Sequence, residues 1–126
     1  MSERTWFEVR NAVGGSTDAY IYDEIGLYGI TASAFVGAIT TVKTPSINLY
    51  INSPGGSVDD GITIYNALQR HPATVHATVD GLAASIASVI LQAADTRTMG
   101  VGATVMVHEP HGLCVGDSAD MAKRIP

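Results

Sequence analysis

Asp80-Gly81-Leu82-Ala83-Ala84-Ser85-Ile86-Ala87-Ser88, running on through Val89-Ile90-Leu91-Gln92-Ala93-Ala94, is the stretch from which the rest of the chain can be read. Gly81 permits a sharp, closely packed turn between a strand and a helix. Ala83, Ala84 and Ala87 form helix readily and carry no bulk, so other backbone can approach them. The pattern predicts a turn at Gly81 followed by a helix with Ser85 in its first turn. There the unpaired N–H groups and the positive end of the helix dipole favour a developing negative charge. Ser85 is therefore a candidate nucleophile. The competing reading is a small packing residue in a buried core helix. The 14 residues from Gly81 to Ala94 fall short of the roughly 20 apolar residues that span a bilayer.

Outward from this stretch, strands and helices alternate. Residues 74–79 read as a strand with Val75, Ala77 and Val79 on one side, and a further strand lies near residues 96–99. Upstream, Ser57 should cap a helix over residues 58–70, with Asp59 and Asp60 complementing the dipole and Pro72 ending it. Ile62, Tyr65 and Leu68 would form its apolar stripe. The run from Ser46 to Ile51 reads as a buried strand that ends in Asn52-Ser53-Pro54-Gly55-Gly56-Ser57. Thr31 can cap a helix reaching Val42, with Phe35, Ile39 and Val42 near one face and Pro45 beyond it. A first strand is expected at residues 19–22, after a turn or loop over residues 14–18. At the other end, residues 103–107 form an apolar strand with His108 at its end, and residues 117–124 could begin a helix. This alternation predicts an α/β fold of βαβ crossovers in one domain over residues 1–126.

Composition narrows the functional classes. Hydrophobic residues make up 46% of the chain and charged residues 15%, so an ordered globular protein is expected. The net charge is −5 with no Lys/Arg cluster, which argues against nucleic acid as a partner. The single cysteine, Cys114, allows no intramolecular disulfide and fits a reducing compartment. Met1-Ser2-Glu3-Arg4-Thr5-Trp6 lacks the apolar core of a signal peptide, so a cytoplasmic location is expected.

Besides the serine stretch, two motifs carry possible chemistry. The Pro54-Gly55-Gly56 turn lacks the Gly-Lys-Ser/Thr ending of a phosphate loop, and no GxGxxG pattern occurs. Its exposed N–H groups instead suit an anion or a developing oxyanion, although such a sequence is also an ordinary turn. His108, Glu109, His111 and Cys114 fall close together, but Pro110 and Gly112 prevent the helical spacing that would align both imidazoles. Without a second cysteine no zinc pattern is complete, and neither metal nor cofactor is expected. His71 and His76 read as surface or packing histidines.

Taken together, Ile51-Asn52-Ser53-Pro54-Gly55-Gly56-Ser57, Gly81-Leu82-Ala83-Ala84-Ser85-Ile86 and Val105-Met106-Val107-His108-Glu109-Pro110 resemble the proteolytic subunit family of Clp proteases in order and approximate spacing. The resemblance covers roughly residues 46–112 and implies a serine peptidase with a ClpP/crotonase-like spiral of βαβ units. It assigns Ser85 as nucleophile, His108 as general base, and the N–H groups of Gly56 and Ile86 as the oxyanion hole. It also implies a polypeptide substrate, a ring-forming homo-oligomer and an AAA+ unfoldase as a possible partner. Glu109 follows the histidine directly, and strand alternation would point it to the other face.

The family's catalytic aspartate lies beyond the last residue of this sequence, and Asp117 and Asp120 come too early to match it. The expectation is a chain incomplete at its C-terminus, without the catalytic acid or the full inter-ring handle helix. Residues 20–26 and 79–85 look more like the head maturation proteases of tailed phages and prophages. Those are thought to trim scaffold and capsid proteins within the procapsid. The alternatives are a housekeeping subunit that degrades unfolded proteins, a crotonase-type acyl-CoA enzyme, and an inactive subunit that only assembles.

Overall fold

The computed structural model describes residues 9–12, by their backbone pairing, and residues 15–107. His108, Glu109, His111, Cys114 and the segment 117–124 lie outside the described residues. In chain order the elements are β1 (Val9–Ala12), β2 (Ser16–Ile21), α1 (Ala32–Ile39), β3 (Ser46–Ser53), α2 (Val58–Arg70), β4 (Thr74–Ala84), α3 (Ile86–Leu91), β5 (Thr96–Met99) and β6 (Thr104–Met106). β1 pairs antiparallel with β2, and β2, β3, β4 and β5 then follow one another in parallel. β6 joins the end of β4, past the point where β5 stops. Consecutive parallel strands that stay adjacent wind continuously in one sense. This is the spiral of βαβ units in an α/β fold.

Alternation along the strands decides which face is buried. Ile47, Leu49 and Ile51 of β3 and Val75, Ala77 and Val79 of β4 point into one core with Phe35 and Ile39 of α1 and Ile64 and Leu68 of α2. The opposite face is polar and partly open. There Tyr20 stacks on Tyr50 with ring centroids 5.1 Å apart, and the Asn48 Nδ2 donates to Asp18 Oδ1 at 3.0 Å and Ser16 Oγ at 3.3 Å. Parallel sheets are usually covered on both sides. Here cross-strand side-chain bonds occupy the second face.

Four elements differ from the sequence reading. The strand expected at residues 19–22, β2, begins at Ser16 and ends at Ile21, and β1 precedes it. Ser16 and Asp18 look like turn residues but serve Asn48 on the polar face, while buried Thr17 bonds Thr44 Oγ1 at 2.7 Å. α1 is capped by Thr31, as expected, but ends at Ile39. Thr40 and Thr41 turn their hydroxyls back onto the Gly37 and Ala38 carbonyls at 3.0 and 2.7 Å, closing the helix. Val42 remains buried beyond it.

α2 has the expected bounds, with Ser57 Oγ accepting the Asp60 N–H at 3.2 Å. Its buried stripe is nevertheless Gly61, Ile64, Ala67 and Leu68, with Ile62 and Tyr65 only half-buried. Gly61 must face inward because Ile86 Cγ1 lies 2.2 Å from where its Cβ would be. Finally, β4 continues to Ala84, so the turn expected at Gly81 is strand.

On the polar face, Tyr22 Oη donates to Asp80 Oδ2, spanning β3. Burial, and then the bond to Asp80 and its negative charge, push the Tyr22 hydroxyl from 10.0 up to about 12. The unfolded chain releases this proton first, so the stabilisation is complete below pH 10.0 and is lost as pH rises toward about 12. Urea unfolding across that window should show stability falling less steeply in Tyr22→Phe than in the unsubstituted protein. Some slope should persist, because burial also raises Tyr50.

Candidate active site

The site begins where β4 becomes α3. Ala83 and Ala84 favour helix in isolation, but each is claimed by a ladder: Ser53 of β3 pairs with Ala83, and β6 pairs with residues 82–84. Pairing from both sides overrides local propensity and holds the backbone extended to Ala84. The helix therefore starts at Ile86, and Ser85 is the joint. It sits at φ 57° and ψ −126°, and is the one non-glycine residue at positive φ among the described residues. Such a conformation costs on the order of 1–3 kcal/mol and persists only where its surroundings impose it.

The surroundings are visible. The Ser85 N–H donates to the Met106 carbonyl at 2.9 Å, and the Ser85 carbonyl accepts from Ser88 N at 3.0 Å and Ser88 Oγ at 2.5 Å. Ser85 occupies the N-cap position of α3, yet its side chain makes no capping bond. The backbone is fixed and the half-buried hydroxyl is left for other use.

The Asn52–Ser57 bend lies directly against this joint. A Cβ on Gly55 would stand 2.6 Å from the Ala84 carbonyl oxygen, 2.8 Å from Ser85 Cβ and 3.3 Å from Ile86 N. Only glycine allows this approach, and φ of 97° at Gly55 and 144° at Gly56 favours glycine as well. Buried Ser53 braces the bend by accepting the Gly55 N–H at 3.1 Å.

Ile25 grips the bend from the other side. Its N–H donates to the Gly55 carbonyl and its carbonyl accepts the Ser57 N–H, each at 2.8 Å. These two bonds bracket Gly56 and leave its own N–H outside the pair. Gly55 thus lies against Ser85 and Ile86, with Gly56 next to it in the bend. Two N–H groups beside a hydroxyl can stabilise the oxyanion formed when that hydroxyl attacks a carbonyl.

Sequence reasoning missed Ile25, Ser53 and Ser88. The nearest signal for Ile25 was the pair Gly26 and Gly29, which closes a tight loop through Gly26 N–Ile30 O and Ile30 N–Glu24 O bonds of 2.8 and 2.7 Å. His108 lies just past Val107, the last described residue, and follows β6, whose Met106 carbonyl holds Ser85. His71 is at the other end of β4. Its ring bridges the Ile39 carbonyl and the Ala73 N–H, each at 3.0 Å, and it serves packing. His76 pairs with Thr96 Oγ1 at 2.8 Å. Among the described residues no three His, Cys, Asp or Glu side chains could share a metal, and no helix is long and apolar enough to cross a membrane.

The strain at residue 85 can be measured. Glycine relieves about 1–3 kcal/mol there and gives back about 0.4–1 kcal/mol through the freer unfolded chain. Ser85→Gly should therefore be about 1 kcal/mol more stable than Ser85→Ala in denaturant titrations, although both lack the hydroxyl.

The chain is 40% identical over 75 residues to an ATP-dependent Clp protease proteolytic subunit of Pleurastrum terricola, covering 58% of this chain and 38% of that protein. It is 39% identical over 77 residues to ATP-dependent Clp protease proteolytic subunit 1 of Salinibacter ruber, covering 60% and 33%. The matched stretches thus span about a third of these relatives' length.

Among solved structures, the ClpP protease catalytic domain from Plasmodium falciparum superposes with a TM-score of 0.68 at 27% identity, over 84% of this chain and 60% of that one. A mutant ClpP1 from Listeria monocytogenes gives 0.64 at 27% identity, over 88% and 63%. The Clp protease family model matches residues 36–125, from within α1 through the glycine bend, the serine joint and β6. A match over that much of the chain means that this chain belongs to the Clp protease family.

Proposed function

We propose that the chain carries the nucleophile, general base and oxyanion hole of a serine endopeptidase. The observation that carries this reading is the strained Ser85 joint, whose hydroxyl makes no capping bond and whose Cβ packs against Gly55 of the bend. Ser85 Oγ attacks a peptide carbonyl as an imidazole nitrogen of His108 takes its proton. The N–H groups of Gly56 and Ile86 hold the oxyanion. Its collapse breaks the C–N bond, and His108 returns the proton to the departing amine. Water, deprotonated by the same imidazole, then hydrolyses the acyl-enzyme. No third catalytic residue is assigned within residues 1–126.

The substrate is a polypeptide, and the chain assembles with further copies of itself. Residues 20–26 and 79–85 support processing of phage or prophage capsid and scaffold proteins inside the procapsid. The second reading is housekeeping proteolysis in the cytoplasm beside an AAA+ unfoldase, favoured by the relatives' being ATP-dependent Clp proteolytic subunits. Cleavage of co-expressed scaffold without nucleotide supports the first reading, and degradation only with ATP and an unfoldase supports the second.

Fluorophosphonate labelling tests the chemistry. The full-length protein should be modified at Ser85, with no label on Ser85→Ala and a rate lower by roughly 10⁶-fold in His108→Ala. A correctly folded protein that takes no label would overturn the peptidase reading in favour of an assembly-only subunit. Saturable acyl-CoA binding indifferent to Ser85→Ala would favour the crotonase type.

A further inference from the structure

We propose that Asn52 is a positioning residue for Ser85, acting through its amide oxygen on a bulge in β4. The proposal rests on the peptidase reading and adds to it the device that sets the nucleophile's register. The parallel β3–β4 ladder runs in step from Ser46↔Thr74 to Ile51↔Val79, and resumes at Ser53↔Ala83. Two steps along β3 thus match four along β4, so β4 carries two extra residues. In an unbroken ladder Ser53 would face Gly81. At about 3.3 Å per residue, the joint would then lie roughly 6–7 Å further along the sheet from its place beside Gly55. The bulge brings hydroxyl and bend together.

Through this interval side chains replace the ladder. Asn52 Oδ1 accepts the Leu82 N–H at 3.1 Å. The same oxygen lies 2.7 Å from where a Cβ on Gly81 would be, so the amide packs onto a bare α-carbon. Asp80, at the start of the bulge, accepts the Tyr22 hydroxyl. The partner strand on the other side changes here as well: β5 pairs through Val79, and β6 takes over from Leu82. Fixing the Leu82 N–H therefore fixes where β6 docks, and β6 in turn holds Ser85 through the Met106 carbonyl at 2.9 Å. Asn52 touches no reacting atom. It acts through Leu82 and β6.

The test compares Asn52→Ala, which removes the acceptor, with Asn52→Asp, which keeps it. Two readouts are taken on the full-length protein: hydrogen exchange at the Leu82 amide, and the saturation kinetics of fluorophosphonate labelling. In Asn52→Ala, Leu82 exchange should accelerate about 10-fold or more, and the limiting labelling rate should fall roughly 10- to 100-fold with half-saturation little changed. Asn52→Asp should recover most of both. Labelling of Asn52→Ala at the unsubstituted rate would overturn the proposal, as would slow labelling in Asn52→Asp despite a protected Leu82 amide. If Asn52→Ala does not fold, Asn52→Asp and Tyr22→Phe decide: the first should behave like the parent, the second should loosen Leu82. Absence of label on the unsubstituted protein would instead overturn the peptidase reading, leaving the Leu82 exchange comparison to decide whether Asn52 holds the bulge.

Discussion

The constraint on which the serine joint depends is the contact between the Gly55 backbone and the Ala84–Ser85 peptide. No side chain can stand between them, since a Cβ would lie within 2.6 Å of the Ala84 carbonyl oxygen. Everything around that contact keeps it closed. Ser53 and Ile25 brace one side, β6 and Ser88 the other, and the slipped ladder of β3 and β4 sets the height at which the two meet. A hydroxyl on a strained turn and N–H groups on a glycine bend are each ordinary features. Here they are held against one another by separate parts of the chain.

The sheet supplies this rigidity in an unusual way. Four parallel strands are covered on one side by helices and a continuous apolar core. Their other side is tied by bonds between side chains on different strands, such as Asn48 with Asp18 and Tyr22 with Asp80. The last of these fixes the strand that leads into the joint. Half-exposed hydrogen bonds add little individually to stability. Their value here is geometric, because they pin strand register where apolar packing alone would tolerate sliding.

What could be read from sequence was local. The bounds of α2 follow from Ser57 and Pro72, and β5 falls where its β-prone residues lie. The helix cap at Thr31 and the bend at Pro54-Gly55-Gly56 are also written in adjacent residues. The errors arise where a distant segment decides. Residues 80–84 resemble a turn and a helix start until β6, some twenty positions later, pairs with them. Ile25 carries no sign of holding a loop thirty residues away. Nor does a serine announce a positive φ, since its neighbours allow the conformation without demanding it. For α2, the apolar stripe shifted because Gly61, which scores as nothing in a hydrophobic pattern, makes the tightest inter-helix approach.

One property of α3 reaches further. All six of its residues are buried, so the helix that follows Ser85 has no wet side along which it could fray. Elements of that kind open only when the whole domain opens. Opening α3 would therefore expose apolar surface along its whole length, which makes fraying from that side of the joint costly. Heat or denaturant should therefore open α3 late, together with the apolar core around it.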